Sequence, residues 1–300
     1  MKEINCNLCG ESSAHILFYG KDRLHKIDKK LFRIVQCMKC GLVRVNPPPP
    51  EDELAKYYPK EYGPYQSGDF IFKYGPISRF VQAALKSLHV KDDESDKTVT
   101  SNDEISLRYL DFGCGGGANL ERVKGNNPNW ELYGLDAIPT ACEETKKKGF
   151  EVFCGNALAL DLPQEFFDKI NMSHVIEHLQ YPQETLKTLY KTMKKGAVIT
   201  IATPNIDTPS AHIFKSYWYA LDTPRHLFLF TPTTLSTMIE HAGFRVTNIN
   251  FDRNPKVLLK SIFYVMRKKD LRINPFLWRI FQIIGRVIGE RSIMTIEAIK

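Results

Sequence analysis

The sequence predicts an α/β protein with a mostly parallel, doubly wound sheet and a small metal-binding module at its N-terminus. Three observations carry this reading. From Ile105 onward short apolar runs alternate with amphipathic ones, as in a parallel sheet covered by helices. The first run, Leu107 to Phe112, enters a glycine-rich loop, Gly113-Cys-Gly-Gly-Gly117, and then a helix start at Ala118. Ahead of it lie two matching Cys-x-x-Cys-Gly pairs, at Cys6/Cys9 and Cys37/Cys40.

Strands are expected at about 107–112, 131–135, 150–154, 167–173 and 197–203, and helices at about 117–125, 139–148, 182–194 and 232–242. Ile293 to Ile299 reads as a last strand. Thr231-Pro232 starts the 232–242 helix and Gly243 ends it.

The loop after the first strand suits a nucleoside without phosphates. Gly113, Gly115 and Ala118 also fit a dinucleotide fingerprint. Asp111, however, stands at the strand tip, where its carboxylate repels a diphosphate and attracts an ammonium or sulfonium. No Lys-Ser/Thr follows the glycines as in a triphosphate-binding loop. About 20 residues on, the strand Trp130 to Asp136 ends in an acid placed for ribose hydroxyls, or for capping the next helix.

Cys6, Cys9, Cys37 and Cys40 have the spacing of a closed tetrahedral zinc site, structural because four thiolates leave no position for chemistry. Two redox pairs are the competing reading. Cys114, Cys142 and Cys154 are unpaired by spacing and read as packing or loop residues. Asn46 and Pro47 to Pro50 form a stiff arm, followed by a tyrosine-rich connector with Tyr58, Tyr62 and Tyr65. Pro76 to Val90 has a helical apolar face, and Lys91 to Glu104 reads as a mobile acidic insertion. The chain thus divides into a module at 1–46, a connector at 47–104 and a main domain at 105–300.

After the fourth strand come Ser173, His174, Glu177 and His178, at the edge where ligands of open α/β sheets bind. Each can serve as a base or merely anchor a short helix. Pro204 to Thr231 is a long aromatic connection that suits a lid, and it holds a second candidate pair, Arg225-His226.

These motifs together resemble the class I S-adenosylmethionine-dependent methyltransferases. The resemblance rests on the glycine loop, Asp136, Phe167 to Leu179, the helix ending Met193-Lys-Lys-Gly196, the strand into Pro204-Asn205, and Thr223 to Thr231. It covers roughly residues 105–300 and is similar to the bacterial type that modifies sugars and other small molecules, some with an N-terminal zinc module. The resemblance implies a Rossmann-like seven-stranded sheet with its last strand antiparallel. It further implies S-adenosylmethionine bound by Asp111, Gly113, Cys114, Gly115, Gly117, Asp136, Asn156, Ala157, Ser173 and His174. His178, His226 and Glu177 become the catalytic candidates for O- or C-methylation of a small-molecule acceptor such as a sugar, a nucleotide-sugar or a lipid-linked precursor. Two positions depart from the pattern: Asn156 stands where Asp is commoner, and Lys194-Lys195-Gly196-Ala197 where Pro-Gly-Gly is usual. In similar proteins a proline- and tyrosine-rich connector lies near the acceptor; packing between domains is the other reading of it.

Charge bounds the partners. Residues 253–300 hold eleven Lys/Arg against three acids, while the first 252 residues are nearly neutral, with 30 basic and 31 acidic groups. This distribution disfavours a nucleic-acid groove over the main domain, and with it a zinc-ribbon RNA methyltransferase. A non-catalytic methyltransferase-like binding protein is the other alternative. With no apolar signal region or spanning-length run, a cytoplasmic protein is expected. The amphipathic segment within 254–290, flanked by Arg267-Lys-Lys269, Arg279 and Arg286, fits peripheral contact with the inner face of a membrane or packing on the core. The sequence specifies no oligomeric state.

Overall fold

The computed structural model describes residues 3–58, 106–252, 256–266 and 275–300, with side chains in the last stretch from residue 280. The expected helix at 76–90, the insertion at 91–104, Tyr62 and Tyr65 lie outside the described residues.

The main sheet has seven strands. Its parallel centre is β4 (Arg108–Phe112), β5 (Glu131–Asp136), β6 (Glu151–Cys154), β7 (Phe167–Ser173) and β8 (Met193–Pro204), extended by β10 (Arg245–Asp252) and β11 (Ile293–Ile299). The spatial order is β10-β11-β8-β7-β4-β5-β6, and β11 runs antiparallel to both its neighbours, as expected. Strand order reverses beside β4, so the crevice for a ligand opens at the carboxyl ends of β4, β5 and β7.

The helices match the periodicity, with one local exception. In chain order they are α1 (Glu51–Leu54), α2 (Ala118–Asn126), α3 (Pro139–Lys147), α4 (Pro182–Thr192), α5 (Pro209–Phe214), α6 (Pro232–His241), α7 (Lys256–Val265) and α8 (Pro275–Val287). Proline at the first turn of α3, α4, α5 and α6 presets the helical φ where no amide partner is needed. Thr231 caps α6 through a reciprocal pair of hydrogen bonds with Thr234. The exception is Met193 and Lys194, expected in α4: Met193 already pairs with Phe167 as strand, and Gly196 at φ +80° takes the bend. Burial of Met193 inside the sheet outweighs its helical preference.

The N-terminal module is a three-stranded antiparallel sheet, β1 (Ala14–Gly20), β2 (Phe32–Cys37) and β3 (Val43–Val45), and the main domain completes it. A two-residue strand from the long connection, β9 (Phe228–Leu229), pairs antiparallel with β3, Val43 opposite Leu229 and Arg44 opposite Phe228. Cys6, Leu8, Cys37 and Leu42 pack in the same buried cluster as Leu110, Phe112 and Phe228. The module and the methyl-transfer candidates therefore share one core.

Two buried polar knots fix the long connection. Glu290, fully buried, accepts from Thr208 Oγ1 at 3.0 Å, from Ser210 N at 3.1 Å, from Ser210 Oγ at 2.7 Å and from Ser292 Oγ, anchoring the start of α5 to the turn after α8. Arg225, also fully buried, donates to Asp22 Oδ1 at 2.8 Å, to both Asp222 oxygens and to the Tyr57 carbonyl at 3.0 Å. It bolts the module, the connector and the long connection together. A charge this buried is tolerable only with such partners.

One cysteine assignment changes. Cys142 on α3 and Cys154 at the end of β6 form a disulfide, although their spacing of 12 gave no sign of pairing. The helix turn and the parallel crossover bring their Cα atoms to 5.9 Å.

Candidate functional site

The glycine loop is tied down by the strand beside it. Gly113 N and Cys114 N donate to the Leu135 carbonyl at 2.7 and 3.1 Å, so the chain leaves β4 already bent over the end of β5. Gly113 has φ +80°, and a Cβ there would stand 2.3 Å from the Val175 side chain. No other residue fits both the conformation and the space. Gly117 is equally constrained, at φ +78° with Thr145 Oγ1 2.9 Å from a built Cβ. Gly115 lies between them and its amide donates to Asp136 Oδ2 at 2.9 Å.

Asp136 does not cap α3, the other role open to it. Its second oxygen accepts from Ile138 N at 2.9 Å, and the helix cap is Ile138, with no side-chain capping bond. The two amides hold the carboxylate at the carboxyl edge, its remaining lone pairs available to a ligand. Asp111, 4% exposed, accepts from Asn171 Nδ2 at 2.9 Å. Burial pushes both carboxyls above the ordinary range. Two buried carboxyls of raised pKa around a glycine loop suit a cationic nucleoside, whose charge would restore their ionisation. S-adenosylmethionine, with its sulfonium and ammonium, fits this donor set.

Other residues expected at the cofactor divide. Ala157 is buried, whereas Asn156 is exposed and its Oδ1 accepts from Leu158 N at 3.0 Å, closing a turn after β6. Cys114 packs against Gly134, and burial, with Asp136 and Asp111 nearby, pushes its thiol up to about 12. It stays protonated and lends the loop shape rather than charge. Ser173 and His174 are exposed at the end of β7.

Glu177, His178 and His226 converge. One oxygen of Glu177 and one nitrogen of each imidazole lie within 4.8 Å of one another, and the two rings meet edge to face at 4.6 Å. Each ring is fixed at Nδ1. His226 Nδ1 faces the Ala220 carbonyl at 2.8 Å and His178 Nδ1 the Arg225 carbonyl at 3.1 Å. A carbonyl only accepts, so in the neutral rings Nδ1 carries the proton and Nε2 the lone pair. Tyr58 Oη lies 3.0 Å from His178 Nδ1, so the connector does reach the candidate site.

The charges in this cluster are set by burial and by each other. Burial would raise the Glu177 carboxyl, but the His174 hydrogen bond at 3.3 Å and the three neighbouring imidazoles outweigh it and hold it down to about 2. Burial, helped by His226, pushes His178 down to about 4. Near neutral pH the cluster thus presents an anionic Glu177 beside a neutral His178. Glu177 Oε2 is buried with no hydrogen-bond partner among the described residues, an acceptor in reserve. The set can take a proton from a hydroxyl placed among its nitrogens, and two imidazoles with a carboxylate also match the donors of a divalent cation.

Arg225, paired with His226 as an acceptor-orienting candidate, turns out otherwise. Its guanidinium is consumed by Asp22, Asp222 and the Tyr57 carbonyl, and it serves the site only through its own carbonyl on His178. Tyr58 was named only as part of the connector, and Asn171 was not singled out at all. Asn171 sits opposite Asp111 in the β4–β7 register, which correct strand alignment would have predicted.

The four N-terminal thiols are also brought together. Cys6 and Cys40 sulfurs are 3.5 Å apart, Cys9 and Cys37 sulfurs 3.6 Å, close to the roughly 3.8 Å edge of a tetrahedron with zinc–sulfur bonds of about 2.3 Å. In each knuckle the glycine amide bonds back to the first cysteine, Gly10 N to the Cys6 carbonyl at 2.8 Å and Gly41 N to the Cys37 carbonyl at 3.1 Å. These residues fit a structural zinc ion.

Residues 74–249, more than half of the chain, match the family described as Methyltransferase domain. The chain belongs to that family. Similar curated methyltransferases include a ubiquinone biosynthesis O-methyltransferase of Parvibaculum lavamentivorans, 31% identical over 48% of this chain and 60% of its own length. A demethylmenaquinone methyltransferase of Anoxybacillus flavithermus is 25% identical over 42% of this chain and 55% of its own. The chain spans 47–60% of the length of the first three relatives of this kind. A crystal structure of an S-adenosylmethionine-dependent methyltransferase from Archaeoglobus fulgidus aligns with TM-score 0.48 and 23% identity, over 74% of this chain and 94% of that one.

Proposed function

We propose that this methyltransferase-family protein transfers the methyl group of S-adenosylmethionine to a hydroxyl oxygen of a small-molecule acceptor. The observation that carries the reading is the convergence of Glu177, His178 and His226 beside the loop held by Asp111 and Asp136, at one carboxyl edge of the sheet. The names of the relatives, O-methyltransferases of ubiquinone biosynthesis, support an oxygen acceptor.

The bound cofactor would supply an electrophilic methyl on a sulfonium. The protein's part is placement and proton removal. Asp111 and Asp136 hold the cationic nucleoside, and His178 Nε2 receives the acceptor's proton. Glu177, ionised and buried, stabilises the imidazolium so formed, while the Arg225 carbonyl keeps the ring's Nδ1 proton in place.

Calorimetry with S-adenosylmethionine tests the reading. Asp136→Ala should weaken binding by about 1.5–3 kcal/mol, as for a lost hydrogen bond to a charged group. It should also lower stability, because the Gly115 and Ile138 amides lose their acceptor. His178→Gln should bind the cofactor normally and transfer label from it to a cell extract about 10²–10⁴-fold more slowly. Unchanged transfer in His178→Gln removes the proton-acceptor role, and no cofactor binding by the intact chain removes the whole reading.

We propose further that the acceptor is presented at an anionic lipid surface. The support is the end of α8, where Ile283, Ile284 and Val287 are exposed next to Arg286 in the basic C-terminal segment.

A further inference from the structure

Arg44 occupies the middle of β3, where Val43 and Val45 turn to the core and the alternation sends Arg44 to the other face. It is nevertheless 1% exposed. Nη2 donates to the Ile4 carbonyl at 3.1 Å, while Nε and Nη1 have no hydrogen-bond partner among the described residues. A guanidinium cannot shed its proton, so three N–H bonds of a buried cation are left unanswered. An unpaired buried charge costs several kcal/mol and is a rare thing for a fold to keep. By contrast Arg225, equally buried, is matched by two carboxylates.

Arg44 lines a cavity of about 160 Å³ in the seam between the module and the main domain. Its other walls are largely apolar: Val45, Pro48 and Phe228, with Tyr181 at an exposed rim. No acidic side chain is among the described lining residues. Asn7 contributes a buried Oδ1 that also lacks a partner. The cavity thus offers a cation, a hydrogen-bond acceptor and an apolar wall, each without its complement.

We infer that this cavity binds an organic anion: a carboxylate or phosphate on a small apolar body, the oxyanion on Arg44 and the body against Val45, Pro48 and Phe228. The site is distinct from the Glu177–His178–His226 cluster but backs directly onto it. Val45 N donates to the Leu227 carbonyl at 2.9 Å and Leu227 N to the Glu177 carbonyl at 2.8 Å, so an occupant braces the strand next to His226 and the turn that carries Glu177. The inference does not depend on methyl transfer, since its readout is binding.

The test titrates the full-length protein with phenyl phosphate, inorganic phosphate and benzamide by calorimetry at constant ionic strength. Phenyl phosphate should bind saturably, with the other two at least about tenfold weaker, a difference of about 1.4 kcal/mol. Arg44→Gln should weaken phenyl phosphate at least about tenfold, and Asn7→Asp, which places a competing carboxylate in the cavity, should do the same. Circular dichroism checks that each variant is folded, and if Arg44→Gln is not, Asn7→Asp decides. Absence of saturable phenyl phosphate binding, or unchanged affinity in the folded variants, overturns the site. Equal affinity for benzamide overturns the role of charge, and equal affinity for inorganic phosphate overturns the role of the apolar wall.

Discussion

His178 shows what a single residue gains from its surroundings. In the sequence it is one of several histidines near a strand end; in the structure it has a fixed tautomer, a buried anion beside it and a pKa of about 4. The shift has a consequence for stability. In the unfolded chain this imidazole takes up a proton as pH falls through about 6.5, whereas in the folded state it does so only near 4. The unfolded state therefore binds more protons across that window, and stability falls as pH drops from about 6.5 to 4. His174 works in the opposite sense, because its Glu177 hydrogen bond outweighs burial and raises its pKa. Comparison of wild type with His178→Gln isolates the first effect. Between pH 6.5 and 4.5 urea midpoints should show wild type losing on the order of 2 kcal/mol more than the variant, discounted for partial exposure. Parallel slopes in the two proteins would mean that His178 is not held neutral. The sharp turn at Gly113 and Gly117 was legible because it is set within one strand–loop–helix unit, whereas the partners of Asp111 and Asp136 come from other segments. Arg225 was not legible, since its partner Asp22 lies 203 residues away, and no local pattern distinguishes a clamp from a catalytic arginine.

At the scale of elements, β9 does most to connect the parts. Two residues long, it has no periodicity to announce it, and its partner β3 lies far back in the chain, Val43 against Leu229. The Cys142–Cys154 disulfide escaped for the same reason: it depends on how α3 is rotated over β6. By contrast the four-cysteine cluster and six of the main sheet's strands follow patterns within short windows, so they could be read in advance, while the seventh strand and the antiparallel direction of β11 were expected only from the family resemblance. The β3–β9 pairing changes what zinc is expected to do. With separate cores, metal loss would loosen the module alone. Because Cys6 and Cys37 pack with Leu227 and Phe228, it should reach the strand beside His226 as well. Elemental analysis should find one zinc per chain on Cys6, Cys9, Cys37 and Cys40. After chelation, amide hydrogen exchange should quicken at residues 43–45 and 227–229 and stay slow at 110–112 and 134–136. Uniform protection before and after metal removal would reduce the four thiols to packing.

On the scale of the whole molecule the charge is unevenly spread along the chain. Nearly all of the excess positive charge belongs to residues 253–300, while the first 252 residues, which carry the crevice, are close to neutral in sum. No helix among the described residues is long and apolar enough to cross a membrane. The exposed face of α8 is of a different kind. Ile283, Ile284 and Val287, spaced i, i+1 and i+4, form one apolar stripe, and Val287 is 80% exposed. Phe281 and Ile288 are half-buried, so part of the face expected to be amphipathic packs against the protein and part does not. A stripe this short carries little binding energy alone. Each Lys or Arg near an anionic bilayer adds about 1 kcal/mol, and the segment 253–300 carries eleven of them in its sequence. The full chain should therefore float with liposomes containing anionic lipid at physiological salt, and should stay at the bottom of the gradient with neutral ones. Val287→Asp should weaken flotation through the apolar stripe and Arg286→Glu through charge, and only the latter loss should deepen as ionic strength falls. If the intact chain floats with neither kind of vesicle, Ile283 and Val287 are simply solvated, and an acceptor free in solution becomes the reading to pursue.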